Sequence, residues 1–160
     1  MRVFLKFKHW QLFIILVSLG ILSAVTSDSS FWFLTFALYD FALVGWIYSI
    51  GKVTNAINGE NQIINYREDL WAILFYISLI PFGYFAHSVQ PNNVFFMIGA
   101  VVLESIAGIK LVNFSAKAMS QNEKRRTLTF GDYMSEFLLI LFIPIGIWKI
   151  QPKMNRLIKN

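Results

Sequence analysis

The sequence predicts an all-α membrane protein with four transmembrane helices, a C-terminal re-entrant or interfacial helical segment, and both termini in the cytoplasm. Three observations lead to this prediction: the composition, four apolar stretches of membrane length, and a one-sided distribution of Lys and Arg. Of the 160 residues, 56% are hydrophobic, 17% aromatic and only 14% charged, and the mean hydropathy is +0.56. A water-soluble domain of this size needs a larger polar fraction to cover its surface. We therefore expect a single integral membrane domain over residues 1–160.

Each apolar stretch approaches the roughly 20 residues that a helix needs to cross a hydrocarbon core about 30 Å thick. The four stretches cover residues 10–26, 31–51, 70–86 and 94–112 approximately. The first stretch also suits a signal peptide, because basic residues precede its apolar core and "SAVTSDSS" follows it. We expect this first stretch to be retained as a helix.

The distribution of basic residues predicts the orientation. If the N-terminus lies inside, the two outer loops are "TSDSS" and "HSVQPNN", and all fourteen Lys and Arg fall on the inner side. This arrangement satisfies the positive-inside rule. A fifth crossing near the C-terminus would move four basic residues outside, and we therefore expect none. These four are Lys149, Lys153, Arg156 and Lys159.

The C-terminal segment at about 133–150 is apolar but short. Its uncharged run, 137–148, has 12 residues, about 18 Å as a helix and too short for the hydrocarbon core. Pro144 removes a backbone donor and Gly146 weakens a helix, so we expect a bend at these two residues. The prediction is a re-entrant or interfacial segment packed against the four-helix body and followed by a basic tail, 151–160.

Two acidic residues are candidates for an intramembrane polar or ion site. Asp40 lies nine residues into the second helix and Glu104 ten residues into the fourth, which places both about 13 to 15 Å below the outer surface. Ionisable groups at such depth normally face a bundle interior or a cavity. One interpretation is a proton or cation site, or the lining of a pore formed by several copies. The other is a protonated carboxyl that bonds to a hydroxyl or a carbonyl of a neighbouring helix.

Enzymatic chemistry finds no support in the sequence. The chain contains no Cys, and its two His residues, His9 and His87, fall on opposite sides of the predicted membrane. Nucleophilic catalysis needs a nucleophile, a base and an orienting group together, and a metal site needs clustered ligands. We therefore predict no catalytic residues, no metal and no cofactor. The net charge of +5 reflects topology, so we expect no nucleic-acid partner.

The inner face is the second candidate working surface. We expect the fourth helix to continue beyond the membrane to about Arg126. Basic residues there and in the C-terminal tail suit anionic lipid headgroups or a partner protein. The candidate contacts are Lys117, Lys124, Arg125, Arg126, Lys153 and Arg156. Because the chain has no sizeable soluble domain, we also expect a homo-oligomer or a partner membrane protein.

The C-terminal run "SEFLLILFIPIGIWKIQPKMN" resembles the ending of a group of small bacterial integral membrane proteins. These proteins carry Pro-Ile-Gly-Ile-Trp followed by Gln-Pro and have no assigned function. The resemblance implies a bacterial cytoplasmic membrane and no particular reaction. Together with the residue patterns, it leads us to expect a non-enzymatic membrane subunit or self-assembling scaffold. The alternative is a small channel, pore-forming effector or ion-coupled carrier that uses Asp40 and Glu104.

Overall fold

The computed structural model describes residues 3–27, 31–57, 94–124 and 128–159, and over these residues the chain is helical with no β-strand. The prediction of an all-α fold is thereby confirmed for this part of the chain. The predicted third helix at 70–86 lies outside the described residues. The described helices are α1 (Val3–Lys6), α2 (His9–Val25), α3 (Trp32–Ile57), α4 (Val94–Lys124), α5 (Phe130–Leu141) and α6 (Ile143–Lys159).

The helix bounds differ from the apolar stretches mainly on the predicted inner side. Helix α3 continues six residues beyond Gly51 to Ile57, and α4 continues without a break to Lys124. The added turns of α4 read "NFSAKAMSQNEK", and Ala, Lys, Met, Gln and Glu are good helix formers. The C-terminal tail is also helical, because α6 extends to Lys159.

Length and apolarity single out one helix among the described residues as a membrane-crossing candidate, namely α3 with its 26 residues. Helix α2 is apolar but has 17 residues. The pair α5 and α6 passes the same criteria only if the two helices count as one broken span. The four predicted crossings therefore remain a prediction.

The chain divides into two compact units, Met1–Ile64 with Val112–Asn160, and Asn65–Leu111. The first unit contains most of the described structure. Within it, α2 packs along α3, and α6 packs against α1, α2 and α5. The second unit contains the first part of α4.

The C-terminal half of α3 forms the core of the first unit. From Val44 to Gly51 every side chain is buried, whereas large apolar side chains on the N-terminal half of the helix are exposed. Two glycines permit close packing. A Cβ on Gly45 would lie 3.0 Å from Cζ of Phe4, and one on Gly51 would lie 2.9 Å from Oγ of Ser115.

The bend in the C-terminal segment falls at Phe142, where the chain turns by 113° between α5 and α6. We expected the bend at Pro144 and Gly146, but both lie in the first turn of α6. Proline fits well in a first helical turn, where the missing N–H has no partner within the helix, so Pro144 lies just after the break. A second proline, Pro152, lies within α6. Gly146 permits the sharp turn, because a Cβ at this position would overlap the carbonyl oxygen of Leu139 in α5.

Candidate functional site: an amide clasp and an apolar elbow

The side-chain amide of Gln151 links the C-terminal helix α6 to α3 and to the N-terminal segment of the first unit. The indole Nε1 of Trp46 in α3 donates a hydrogen bond of 2.8 Å to Oε1 of Gln151 in α6. Both residues are completely buried, with 0% of their surface exposed. A buried indole N–H needs a hydrogen-bond partner, and the Gln151 amide provides it.

The other end of the same amide holds the N-terminal segment. Nε2 of Gln151 donates to the carbonyl oxygens of Phe4 at 3.1 Å and Phe7 at 2.9 Å. Nδ2 of Asn155, one turn further along α6, also donates to the Phe7 carbonyl, at 3.3 Å. The last carbonyls of a helix have no partner within it, and α1 ends at Lys6. We call Trp46, Gln151, Asn155 and the carbonyls of Phe4 and Phe7 the amide clasp.

Helix α6 directs Gln151 inward because of its position among apolar residues. Ile147, Ile150 and Met154 are all buried and share a face with Gln151 at helical spacing. This role of Gln151 was not predicted, although the helical spacing of the apolar residues around it is visible in the sequence. A lone amide on an apolar helix face indicates a buried hydrogen bond.

Aromatic contacts add to the attachment of α6. The ring centroid of Trp148 lies 4.5 Å from that of His9, at the start of α2, and 6.3 Å from that of Phe13. Trp148 nevertheless keeps 52% of its surface exposed. One face of the indole is therefore held by α2 while the rest faces outward.

Hydroxyl groups in the core of the first unit bond to main-chain carbonyls. Ser49 donates to the Gly45 carbonyl at 2.6 Å, one turn earlier in α3. Ser115 of α4 donates across the helix interface to the Ile47 carbonyl at 2.7 Å. Both hydroxyl groups therefore have hydrogen-bond acceptors inside the core. Their role is to stabilise the packing of the helices.

The structure places the two candidate acids in different units. Asp40 is buried in α3 with 3% of its surface exposed, as expected for a residue that faces a bundle interior. Glu104 belongs to α4, in the second unit. Its side chain lies outside the described part of the structure, so the expectation of a shared depth stays a prediction.

Two of the candidate basic residues have acidic neighbours. Lys124 forms an ion pair with Asp132, with 3.5 Å between Nζ and Oδ1, and its ammonium donates to the Asp132 carbonyl at 2.6 Å. Lys153 lies near Glu136. Burial raises the pKa of Glu136, but the hydrogen bond from Ser135 and the charge of Lys153 lower it, and the net shift is downward.

The remaining candidate contacts differ in exposure. Lys117 is half-buried in α4 and Arg156 is exposed on α6, whereas Arg125 and Arg126 lie outside the described residues. Lys149, which our candidate set did not include, is also exposed on α6.

The bend between α5 and α6 presents a continuous apolar surface. Its members are Leu138, Leu141, Phe142, Ile145 and Trp148, with exposed fractions from 39% to 59%. We call these five residues the elbow. No charged residue lies between Glu136 and Lys149, so the elbow is uncharged throughout.

No family model matches this chain, and neither a curated protein nor a solved structure does.

The amide clasp contains no titratable group and can form hydrogen bonds only. Among the described residues, no three His, Asp or Glu side chains come close enough to hold a metal ion. The elbow, together with the exposed Lys149 and Arg156 of α6, is thus a described surface with a definite chemical preference.

Proposed function

We propose that the chain is a non-enzymatic, polytopic protein of a bacterial cytoplasmic membrane that acts as a membrane-embedded subunit or self-assembling scaffold. In this proposal four helices cross the bilayer, both termini lie in the cytoplasm, and α5 with α6 forms a re-entrant or interfacial segment. The observation that carries the proposal is the outward-facing apolar surface of the helices.

Helix α2 supplies one such surface. Ile14, Val17, Ile21 and Val25 follow one another at three- and four-residue spacing and are 41% to 78% exposed. The spacing puts them on one face. Several large side chains exposed in one row are unfavourable in water and suit contact with acyl chains or with the helices of a partner.

Helix α3 supplies a second outward-facing apolar surface, over its first turns. Leu34, Leu38 and Phe41 are exposed, whereas Trp46 and Ile50 further along are fully buried. The first part of the helix is thus suited to an apolar environment, and the second part is suited to the core of the protein itself. The hydroxyl groups of Ser49, Thr54 and Ser115 in this core bond to carbonyls, which supports a packing role over a catalytic one.

Membrane integration and partnership are tested together. We expect the protein to stay in the membrane fraction after alkaline carbonate washing and to appear in native-membrane mass spectrometry as a homo-oligomer or with a stoichiometric partner. Release by carbonate contradicts membrane embedding. A monomer alone in the spectrum contradicts the subunit and scaffold roles.

Topology is tested with reporter fusions. Reporters placed after Gln62 and after Asn160 are expected to read cytoplasmic, and one at Asn92 is expected to read outside. The expectation follows from the location of every Lys and Arg on the inner side. An external reading after Asn160 contradicts the re-entrant or interfacial arrangement of α5 and α6.

A second candidate function is a small channel, pore-forming effector or ion-coupled carrier. The near-complete burial of Asp40 within the long apolar helix α3 favours it, because such acids often mark ion pathways. Asp40→Asn and Glu104→Gln are then expected to change ion flux in proteoliposomes and leave the oligomeric state unchanged. Absence of flux from the pure wild-type protein refutes this candidate.

A further inference from the structure

We infer that the elbow is a lipid-anchoring surface, whose apolar side chains enter the acyl region of the cytoplasmic leaflet while Lys149 and Arg156 bind anionic phospholipid headgroups. The inference rests on the membrane embedding proposed above. It adds the class of lipid, the residues that contact it and the role of the 113° turn.

The apolar part of this surface is continuous across the turn. Leu138 and Leu141 face outward from α5, and Ile145 and Trp148 face outward from α6, with Phe142 between them at 59% exposure. The opposite face of α6 is buried against the protein. The elbow therefore exposes apolar side chains of both helices.

The basic border lies directly beyond the apolar part. Lys149 follows Trp148, and Arg156 lies seven residues later, about two turns along the same face. Both are exposed, and no carboxylate of the described residues lies within ion-pair distance of either. Lys124 and Lys153, in contrast, have acidic neighbours within the protein. The two exposed cations are thus available for external anions.

Trp148 lies at the boundary between the two parts. Its ring is held against His9 and is still half exposed. Amphipathic rings prefer the level of the lipid headgroups. An apolar region, a partly exposed indole and then two cations follow one another along this surface, which is the order of chemistry from the acyl chains to the surface of an anionic leaflet.

A second copy of the chain fits this surface less well than lipid does. Helix contacts within membranes favour small residues that let backbones approach closely, and every member of the elbow is large. A twofold contact would also place the same patch against itself, which would bring Lys149 and Arg156 near their own copies. Charge complementarity therefore favours anionic lipid.

The depth of the elbow is measured first. The chain has no Cys, so the single variants Phe142→Cys, Ile145→Cys and Arg156→Cys can each carry one spin label in proteoliposomes. We expect labels at 142 and 145 to collide more with oxygen than with a water-soluble nickel complex, and the label at 156 to show the reverse. Greater collision with the nickel complex at 142 and 145 overturns the inference, and so does exclusion of both reagents, since that places protein over the elbow.

The headgroup preference is measured by native mass spectrometry with phosphatidylglycerol and phosphatidylcholine as probes. Lys149→Gln and Arg156→Gln are each expected to weaken phosphatidylglycerol binding about fivefold, because one basic residue near an anionic surface contributes about 1 kcal/mol. Lys52→Gln is the matched control, because the Lys52 ammonium lies 5.8 Å from the centroid of the Tyr48 ring in α3 and outside the elbow, and this variant is expected to leave binding unchanged. Equal binding by all variants, or equal loss with the control, overturns the inference.

Carbonate washing of each variant separates the two proposals. A protein that resists washing but fails the collision or lipid tests leaves the membrane role standing and removes the role of the elbow. A wild-type protein that washing releases removes the membrane role itself.

Discussion

Trp46 and Gln151 are 105 residues apart in the chain and are joined by a buried hydrogen bond of 2.8 Å. The same Gln151 amide also holds two carbonyl oxygens of the N-terminal segment. One side chain thereby connects α1, α3 and α6. Both the carbonyl oxygen and the amino group of the Gln151 side chain form hydrogen bonds. Loss of this side chain therefore removes the acceptor for Trp46 and the donor to the N-terminal carbonyls.

We expect Gln151→Leu to lower the free energy of unfolding by about 1–3 kcal/mol, because it removes the partner of the Trp46 N–H and of the Phe4 carbonyl. The Phe7 carbonyl keeps its hydrogen bond from Asn155. Thermal unfolding in detergent micelles measures the change. Trp46→Phe provides the second arm of a double-mutant cycle. The double variant is expected to lose less than the sum of the single losses, and strict additivity would contradict a direct interaction.

Gly146→Ala is expected to destabilise the protein by about 1–3 kcal/mol, because the added methyl group overlaps the Leu139 carbonyl and forces the backbone to move. Gly131→Ala, in the first turns of α5, is the matched control. A Cβ at Gly131 meets nothing within 4 Å, so this change is expected to be neutral or stabilising by up to about 1 kcal/mol. Equal unfolding temperatures for the two variants would contradict the close approach of α5 and α6.

Asp132→Ala is expected to cost about 1 kcal/mol, because Asp132 is the N3 residue of a capping box whose N-cap residue is Thr129. Its Oδ2 accepts hydrogen bonds of 2.9 Å from both the backbone N and the hydroxyl of Thr129, as in a capping box. Lys124→Gln removes the ion pair with Asp132 and the hydrogen bond to its carbonyl, and is expected to cost about 0.2–1 kcal/mol because the Lys124 side chain is exposed. Chemical denaturation of both variants gives the comparison, and a larger loss for Lys124→Gln would refute the capping role.

Glu136 is expected to contribute to the acid sensitivity of the protein. Burial raises its pKa, whereas the Ser135 hydrogen bond and the charge of Lys153 lower it. The lowering effects are larger, so the folded pKa lies below the ordinary value of 4.5. A carboxyl group whose pKa is lowered by folding stabilises the folded state at pH values above its ordinary pKa. This contribution is lost as the pH falls through the folded pKa. Unfolding temperatures measured from neutral pH downward test this.

The control for this prediction is Glu136→Gln, which lacks the titrating group. Its unfolding temperature is expected to fall less than that of the wild type when the pH drops below 4.5. Identical pH profiles would show that Glu136 does not gain stability from its neighbours.

Helix α2 and the start of α3 illustrate what local pattern predicts well. Both follow from apolar stretches of sufficient length, and their observed bounds lie within a residue of 10 and 26, and of 31. The extension of α4 to Lys124 was equally predictable, because good helix formers follow the apolar run. For each of these helices, the sequence pattern that predicts it lies within the helix itself.

The bend and the amide clasp illustrate what local pattern predicts poorly. Pro144 and Gly146 indicated a bend, but its position at Phe142 depends on how the first turn of α6 passes the Leu139 carbonyl. No role was predicted for Gln151. Its contacts with Trp46 and Phe4 join parts of the chain that sequence periodicity cannot relate.

The sequence by itself determined the all-helical class, the positions of the described apolar helices and the uncharged character of the elbow, because composition and helical spacing act within a few turns. Only the tertiary structure decided which faces of those helices are buried, where the C-terminal segment turns, and which basic residues have acidic neighbours. These outcomes depend on contacts between different helices, such as Lys124 of α4 with Asp132 of α5 and Trp46 of α3 with Gln151 of α6. Steric overlap and hydrogen-bond geometry set such contacts, and both are properties of the packed chain.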